Sequence, residues 1–195
     1  MRARLAITVS GVEVELREIL LRDKAPEFLA ASAKGTVPVV VHGAEVIEES
    51  YDIMLWALEQ NDPDAWLTRH DPALIRECDG AFKSALDKYK YGNRHEGTDA
   101  LEQRAIASEF LIKLNEILAA QPYLSGNEVG LTDMAIATFI RQFANVDRTW
   151  FDAEPWPNLI RWLEEFLSSA AFNSIMTKHP KWHLGDPVTL FPEIS

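Results

Sequence analysis

Residues 34–50 read KGTVPVVVHGAEVIEES. A β-branched apolar run, 37–41, carries a proline at its mouth. Proline has no N–H for a ladder, so Pro38 belongs at the start or the edge of a strand, not inside a central one. His42 and Gly43 then form a turn, and residues 45–48 return as the hairpin partner. From Glu49 the period becomes helical, with Ile53, Trp56 and Ala57 on one side of a helix over 49–58. Asn61, Asp62, Pro63 and Asp64 break it.

Upstream, residues 12–18 (VEVELRE) alternate strictly, which predicts a half-buried strand. Asp23 is placed to cap a helix over 25–33, with Pro26 in its first turn. Residues 1–10 read as the end of a helix stopped by Gly11. A parallel strand normally precedes such a helix. Either the α/β unit lacks its first strand, or residues 1–10 are not helical.

Downstream, every element reads as helix. One covers 73–91, and Thr98 is the expected cap of the next, which runs to Ala120 with Asp99 and Glu102 in a first turn that favours acids. Residues 121–126 form a loop. Between Asp133 and Arg141 there is no charge, a composition that suits a helix over 131–145 buried on most sides. Helices over 159–168 and 171–176 complete the set. The tail, 180–195, has three prolines and little periodicity. It is expected to lie over the surface, anchored by Trp182, Leu184 and Phe191. The predicted class is α/β plus all-α, with an α/β domain over 1–62 and a helical domain with its tail over 70–195.

Composition narrows the function. The chain has 195 residues, 47% of them apolar, enough for a sizeable core. A formal charge of -11 disfavours nucleic acid and anionic membrane surfaces as partners. No apolar run is long enough to span a bilayer and no signal peptide is visible, so a cytoplasmic protein is expected. Cys78 is the single cysteine, which excludes an internal disulfide and two-cysteine motifs. A buried thiol is the expectation for it. His95, His179 and His183 do not form a ligand-spaced set, so no metal is expected. His42, in its turn, is expected to be exposed and idle.

Together these segments resemble the glutathione S-transferase family, which has a thioredoxin-like first domain and an all-helical second. KGTVPVVVHGAEVIEES resembles its glutathione-site segment. RARLAITVSGVEVELREILLRDKAPEFLA, residues 2–30, resembles its first helix, second strand and second helix. LSGNEVGLTDMAIA, residues 124–137, resembles the start of its buried central helix. The resemblance implies a cis Val37–Pro38 bond that turns the N–H and C=O of Val37 toward a cleft, where the cysteinyl unit of glutathione would lie. It implies that Ser50 and the first N–H groups of its helix hold the γ-glutamyl carboxylate. Glu49 would pair with the ammonium, and Lys34 would reach the glycyl carboxylate. Phe82, Tyr89, Tyr91 and Arg94 fall on the helix that lines the family's substrate cleft, or are core and surface residues in ordinary proportion. The implied activity is conjugation of glutathione thiolate to a small hydrophobic electrophile, with glutathione as co-substrate, no metal, and a homodimer as the working form.

Two departures stand beside this resemblance. The family's thiol-activating serine, tyrosine or cysteine would fall upstream of Met1. The thioredoxin-like domain therefore reads as truncated, without its first strand and with its catalytic residue unknown; Ser10 lies too far along its helix to replace it. The alternative function is a non-catalytic binding or interaction module. The sheet edge then stands open, or is covered by the tail or a neighbouring copy. The second departure is Gly130, where the family commonly has serine or threonine three residues before the aspartate, here Asp133.

Overall fold

The computed structural model describes residues 1–92, 97 and 99–192. Its contacts divide the chain into two units: residues 1–64 together with the stretch from Ala170 onward, and Ala65–Ser169. The grouping expected over 70–195 thus parts at Ala170, because the last stretch packs with the beginning of the chain.

In the first unit, α1 (Arg2–Ser10) ends where Gly11 takes φ 66° and donates its N–H to Ile7 O at 3.1 Å. That left-handed turn suits a residue without Cβ. Leu5, Ala6 and Ile7 are buried on α1, which packs against α3 (Ser50–Gln60) and its Ile53, Met54, Ala57 and Leu58. Asn61 Nδ2 donates to Ser10 O at 2.8 Å and ties the two helix ends together. β1 is only Val14–Glu15, shorter than the alternation over 12–18 suggests.

The partner of β1 comes from the tail. β4 (Leu190–Phe191) runs antiparallel to it, with Val14 opposite Phe191 and Glu15 opposite Leu190. Leu16 N–H donates to Thr189 O at 2.8 Å, and Trp182 N–H to Glu18 O at 2.8 Å. Of the covers left open by the sequence, the tail is the one observed for this strand. Trp182 lies under the Arg17 guanidinium, 4.6 Å from its ring centre. Trp182 and Phe191 are buried, but Leu184 is 77% exposed and is no anchor. Lys181 pairs with Asp23. Asp23 is therefore not a cap, and α2 (Pro26–Ala31) starts at Ala25 without a side-chain cap. Proline at its first position removes one of the N–H groups a cap would serve.

β2 (Val40–His42) and β3 (Glu45–Ile47) form the expected hairpin, with Val40 opposite Ile47 and His42 opposite Glu45, as a ribbon separate from β1–β4. Trp56 Nε1 donates to His42 Nδ1 at 3.4 Å, so His42 is exposed but not idle.

The second unit begins with a 3₁₀ turn, Trp66–Thr68. α4 (Pro72–Glu77) is capped by Asp71, whose Oδ1 accepts from Ala73 N–H and Leu74 N–H. A π turn, Cys78–Phe82, carries the chain into α5 (Lys83–Lys90). The single helix expected over 73–91 is thus one run with a widened turn, and Cys78 is fully buried in it. Thr98, the expected cap of α6 (Ala100–Ala120), lies outside the described residues; Asp99 Oδ1 caps that helix, accepting from Leu101 N–H at 2.8 Å. α7 (Leu131–Ala144) is buried on most sides, as its composition requires. α8 (Arg148–Ala153), short and unforeseen, is capped by Asp147, and α9 (Pro157–Ser168) closes the unit. α10 (Ala170–Ser174) belongs to the first unit and packs on α1. Rings of Phe82, Tyr89, Phe110, Phe143, Phe151 and Trp156 interlock in the core of the second. Among the described residues no helix is long and apolar enough to cross a membrane.

Asp133 at the start of α7 reaches back to Gly130 N–H at 3.1 Å, and glycine returns nothing. A Cβ at position 130 would come within 2.4 Å of Arg69 O and 2.6 Å of Ser125 Oγ. Half of a capping box is therefore given up because the Arg69 main chain passes too close. Gly130→Ser, which restores the family's hydroxyl, is expected to lower stability by about 1–3 kcal/mol through overpacking. Urea midpoints of the two proteins check this; a stabilised variant would show that the main chain yields readily.

Candidate functional site

The site is built on the segment that enters the hairpin. The Val37–Pro38 bond is cis, as the family resemblance implies. Val37 lies ahead of the β2–β3 ladder, which begins at Val40, and is 45% exposed. Among the described residues neither its N–H nor its C=O has a hydrogen-bond partner. An extended peptide can pair with both, as strands do at a free edge.

The hairpin returns the chain to the N-terminus of α3. Glu49 occupies the cap position with an extended backbone and makes no side-chain cap bond. Ser50 follows as the first helical residue, half-buried, and its hydroxyl has no partner among the described residues. Unsatisfied N–H groups and the helix dipole make such an end receptive to a carboxylate.

Lys34 is drawn to the same place. Its Nζ lies 3.1 Å from Glu49 Oε1 and 3.8 Å from Glu48 Oε2. The Glu49 hydrogen bond raises the Lys34 pKa above its usual value, and the charges of Glu49, Glu48 and Asp52 act in the same direction. The pair is exposed, so it orients charge more than it stabilises the fold. Behind it, buried Ser32 donates from Oγ to Glu48 Oε1 at 2.7 Å and accepts from Gly35 N–H at 3.1 Å. Gly35, at φ 60°, makes the turn that leads into Val37. Ser32 thus fastens the incoming turn to the residue before Glu49. Sequence reasoning passed over Ser32 and Glu48; the signal was a small hydroxyl three residues before a glycine, the pattern of a side-chain-closed turn.

The other candidates separate. Phe82 and Tyr89 are buried in the second unit's core and Tyr91 is half-buried. Arg94 and His95 lie outside the described residues. Among the described residues no group of three or more His, Cys, Asp or Glu side chains is arranged to hold a metal ion.

A small α/β unit with a cis-proline ahead of a hairpin and a helix, joined in sequence to a helical unit, is the architecture of a thioredoxin-like domain followed by an all-helical one. Residues 1–66 match the family model described as "Glutathione S-transferase, N-terminal domain", and residues 64–165 match "Glutathione S-transferase, C-terminal domain". The chain belongs to the glutathione S-transferase family. It is 29% identical over 175 residues to Glutathione S-transferase U19 of Arabidopsis thaliana, across 86% of this chain and 80% of that protein. Among solved structures it shares its fold with the glutathione transferase URE2P6 from Phanerochaete chrysosporium, in complex with oxidized glutathione. That match has a TM-score of 0.75 at 14% identity and spans 88% of this chain and 87% of the other. The theta class enzyme of Xanthomonas axonopodis pv. citri, with glutathione bound, gives a TM-score of 0.70 at 22% identity over 91% of each chain.

Proposed function

We propose that this protein is a cytoplasmic glutathione transferase, working as a homodimer, that binds reduced glutathione against Val37 and the start of α3. The glutathione thiolate attacks a small hydrophobic electrophile; a carbon–sulfur bond forms and the leaving group departs with its electron pair. The observation that carries this reading is that, among the described residues, the main chain of Val37 and the Ser50 hydroxyl at the start of α3 have no hydrogen-bond partner. Val37 would fix the cysteinyl unit, Ser50 the γ-glutamyl carboxylate and Glu49 the ammonium. Pro38 sets the bend that presents Val37.

Each of these roles is recognition; none supplies the donor that turns thiol into thiolate, the reactive species. The second reading is a binding module without turnover. One pair of measurements separates them: retention on immobilised glutathione, and conjugation of glutathione to chlorodinitrobenzene with release of chloride. Retention with turnover supports the enzyme, and retention alone selects the module. A chain that is not retained and does not turn over overturns both. Ser50→Ala is expected to raise the glutathione Kd about tenfold, the worth of one hydrogen bond to a charged group; titration calorimetry reads it.

A further inference from the structure

The family resemblance puts Lys34 at the glycyl end of glutathione, but in the structure its ammonium contacts Glu49, the residue that the same resemblance gives to the ligand's other end. Lys34 Nζ touches Glu49, the residue that would take the ligand's ammonium, and leans toward Glu48. An extended peptide advances roughly 3.3–3.6 Å per residue, so the two ends of a tripeptide lie about 10 Å apart. A lysine in contact with Glu49 is at the ammonium-bearing end.

Charge balance says why it should stay there. The γ-glutamyl group carries both an ammonium and a carboxylate. Its carboxylate, brought to Ser50, enters a field set by Glu48, Glu49 and Asp52, all three of which act on Lys34. Like charges on neighbouring positions of a helix end oppose one another. If Lys34 left for the glycyl carboxylate, the incoming anion would face three carboxylates with that cation gone.

Resting on the glutathione reading, we propose that Lys34 is a specificity-determining residue for the α-amino-acid end of the ligand. In the empty site it neutralises Glu49. When the ligand's ammonium takes Glu49, Lys34 turns onto the ligand's α-carboxylate beside Ser50, and positive and negative groups alternate around a closed ring. Its flexible stem, with a side chain 54% exposed, permits the turn. The ligands selected are γ-glutamyl peptides with both groups of the γ-glutamyl unit ionised.

The test is calorimetric titration of the whole chain with two probes, reduced glutathione and its glycyl monoethyl ester. Both keep the γ-glutamyl zwitterion, and only the first keeps the glycyl charge. Lys34→Met is expected to raise the Kd of both by the same factor, about tenfold, and Lys34→Arg to recover most of it. A loss confined to free glutathione would return Lys34 to the glycyl end and overturn the proposal, as would unchanged affinity for both. Failure of the wild-type chain to bind either probe is a different result: it removes the glutathione reading, and this proposal with it, before any variant is compared. Lys34 is exposed, so both variants should keep the thermal midpoint of the parent.

Discussion

Asp133→Ala should cost the chain about 3–5 kcal/mol, which is a large part of the ~5–15 kcal/mol that holds a domain folded. Asp133 is 2% exposed, and its two oxygens take four donors. Oδ1 accepts from Leu124 N–H at 2.7 Å and from Trp162 Nε1 at 2.8 Å. Oδ2 accepts from Ser125 N–H and Gly130 N–H, both at 3.1 Å. One carboxylate therefore joins the loop before α7, the start of α7 and the middle of α9. Alanine would strand those donors, at about 1–3 kcal/mol for each buried group left unmade. The full sum is not expected, because a cavity of about 140 Å³ lined by Asp133, Met134, Trp162 and Phe166 adjoins the site and can admit water. Asp133→Asn keeps the shape and one accepting oxygen, and should lose roughly half as much. Urea unfolding of the three proteins measures this; a loss below about 1 kcal/mol for the alanine variant would mean the four bonds do not act together.

Replacing both tail anchors should have the second large effect. Trp182 and Phe191 are 9% and 5% exposed, and truncating a buried aromatic costs about 3–5 kcal/mol. The two hold one strap, so their losses overlap and will not simply add. Phe191 also lies under the Arg4 guanidinium, 5.8 Å from its ring centre, and faces His179 edge-on. Once the strap lifts, β1 presents an unpaired edge, a template for another chain. Trp182→Ala with Phe191→Ala is therefore expected to lower stability by about 5 kcal/mol and to produce species larger than the parent at micromolar concentration. Light scattering after size exclusion reads the second effect, and limited proteolysis within 178–192 reads the first. Leu184→Ala, on an exposed side chain of the same strap, should change stability by no more than about 0.5 kcal/mol. If the double variant elutes and melts like the parent, the tail is not what completes the first unit.

The legible parts of this molecule were those written in neighbouring residues. Pro38 at the mouth of an apolar run, the His42–Gly43 turn and the change of period at Glu49 sit within one short stretch, and the hairpin and α3 follow from them. The long apolar α7 was equally open to reading. Interactions between distant residues were not. Nothing near Asp23 says that Lys181 will take it, and nothing near Val14 says that Phe191 will lie opposite. At Gly130 the sequence shows a missing hydroxyl but not the Arg69 main chain that forbids one. In the candidate site, the residues proposed for recognition come from one contiguous stretch, 34–50. The Lys34–Glu49 contact was not, because it depends on a turn closed by Ser32, and which end of a ligand a flexible lysine serves is decided in three dimensions.

That β1 finds its partner at Leu190–Phe191 has a consequence for how the molecule is made. A ribosome delivers residues 1–64 long before it delivers the strap, and domains tend to fold as they emerge. The helical unit, continuous from Ala65 to Ser169, can settle while the first is still waiting. The first unit should thus mature after the helical one on a nascent chain, with the edge of β1 bare until Leu190 and Phe191 have emerged.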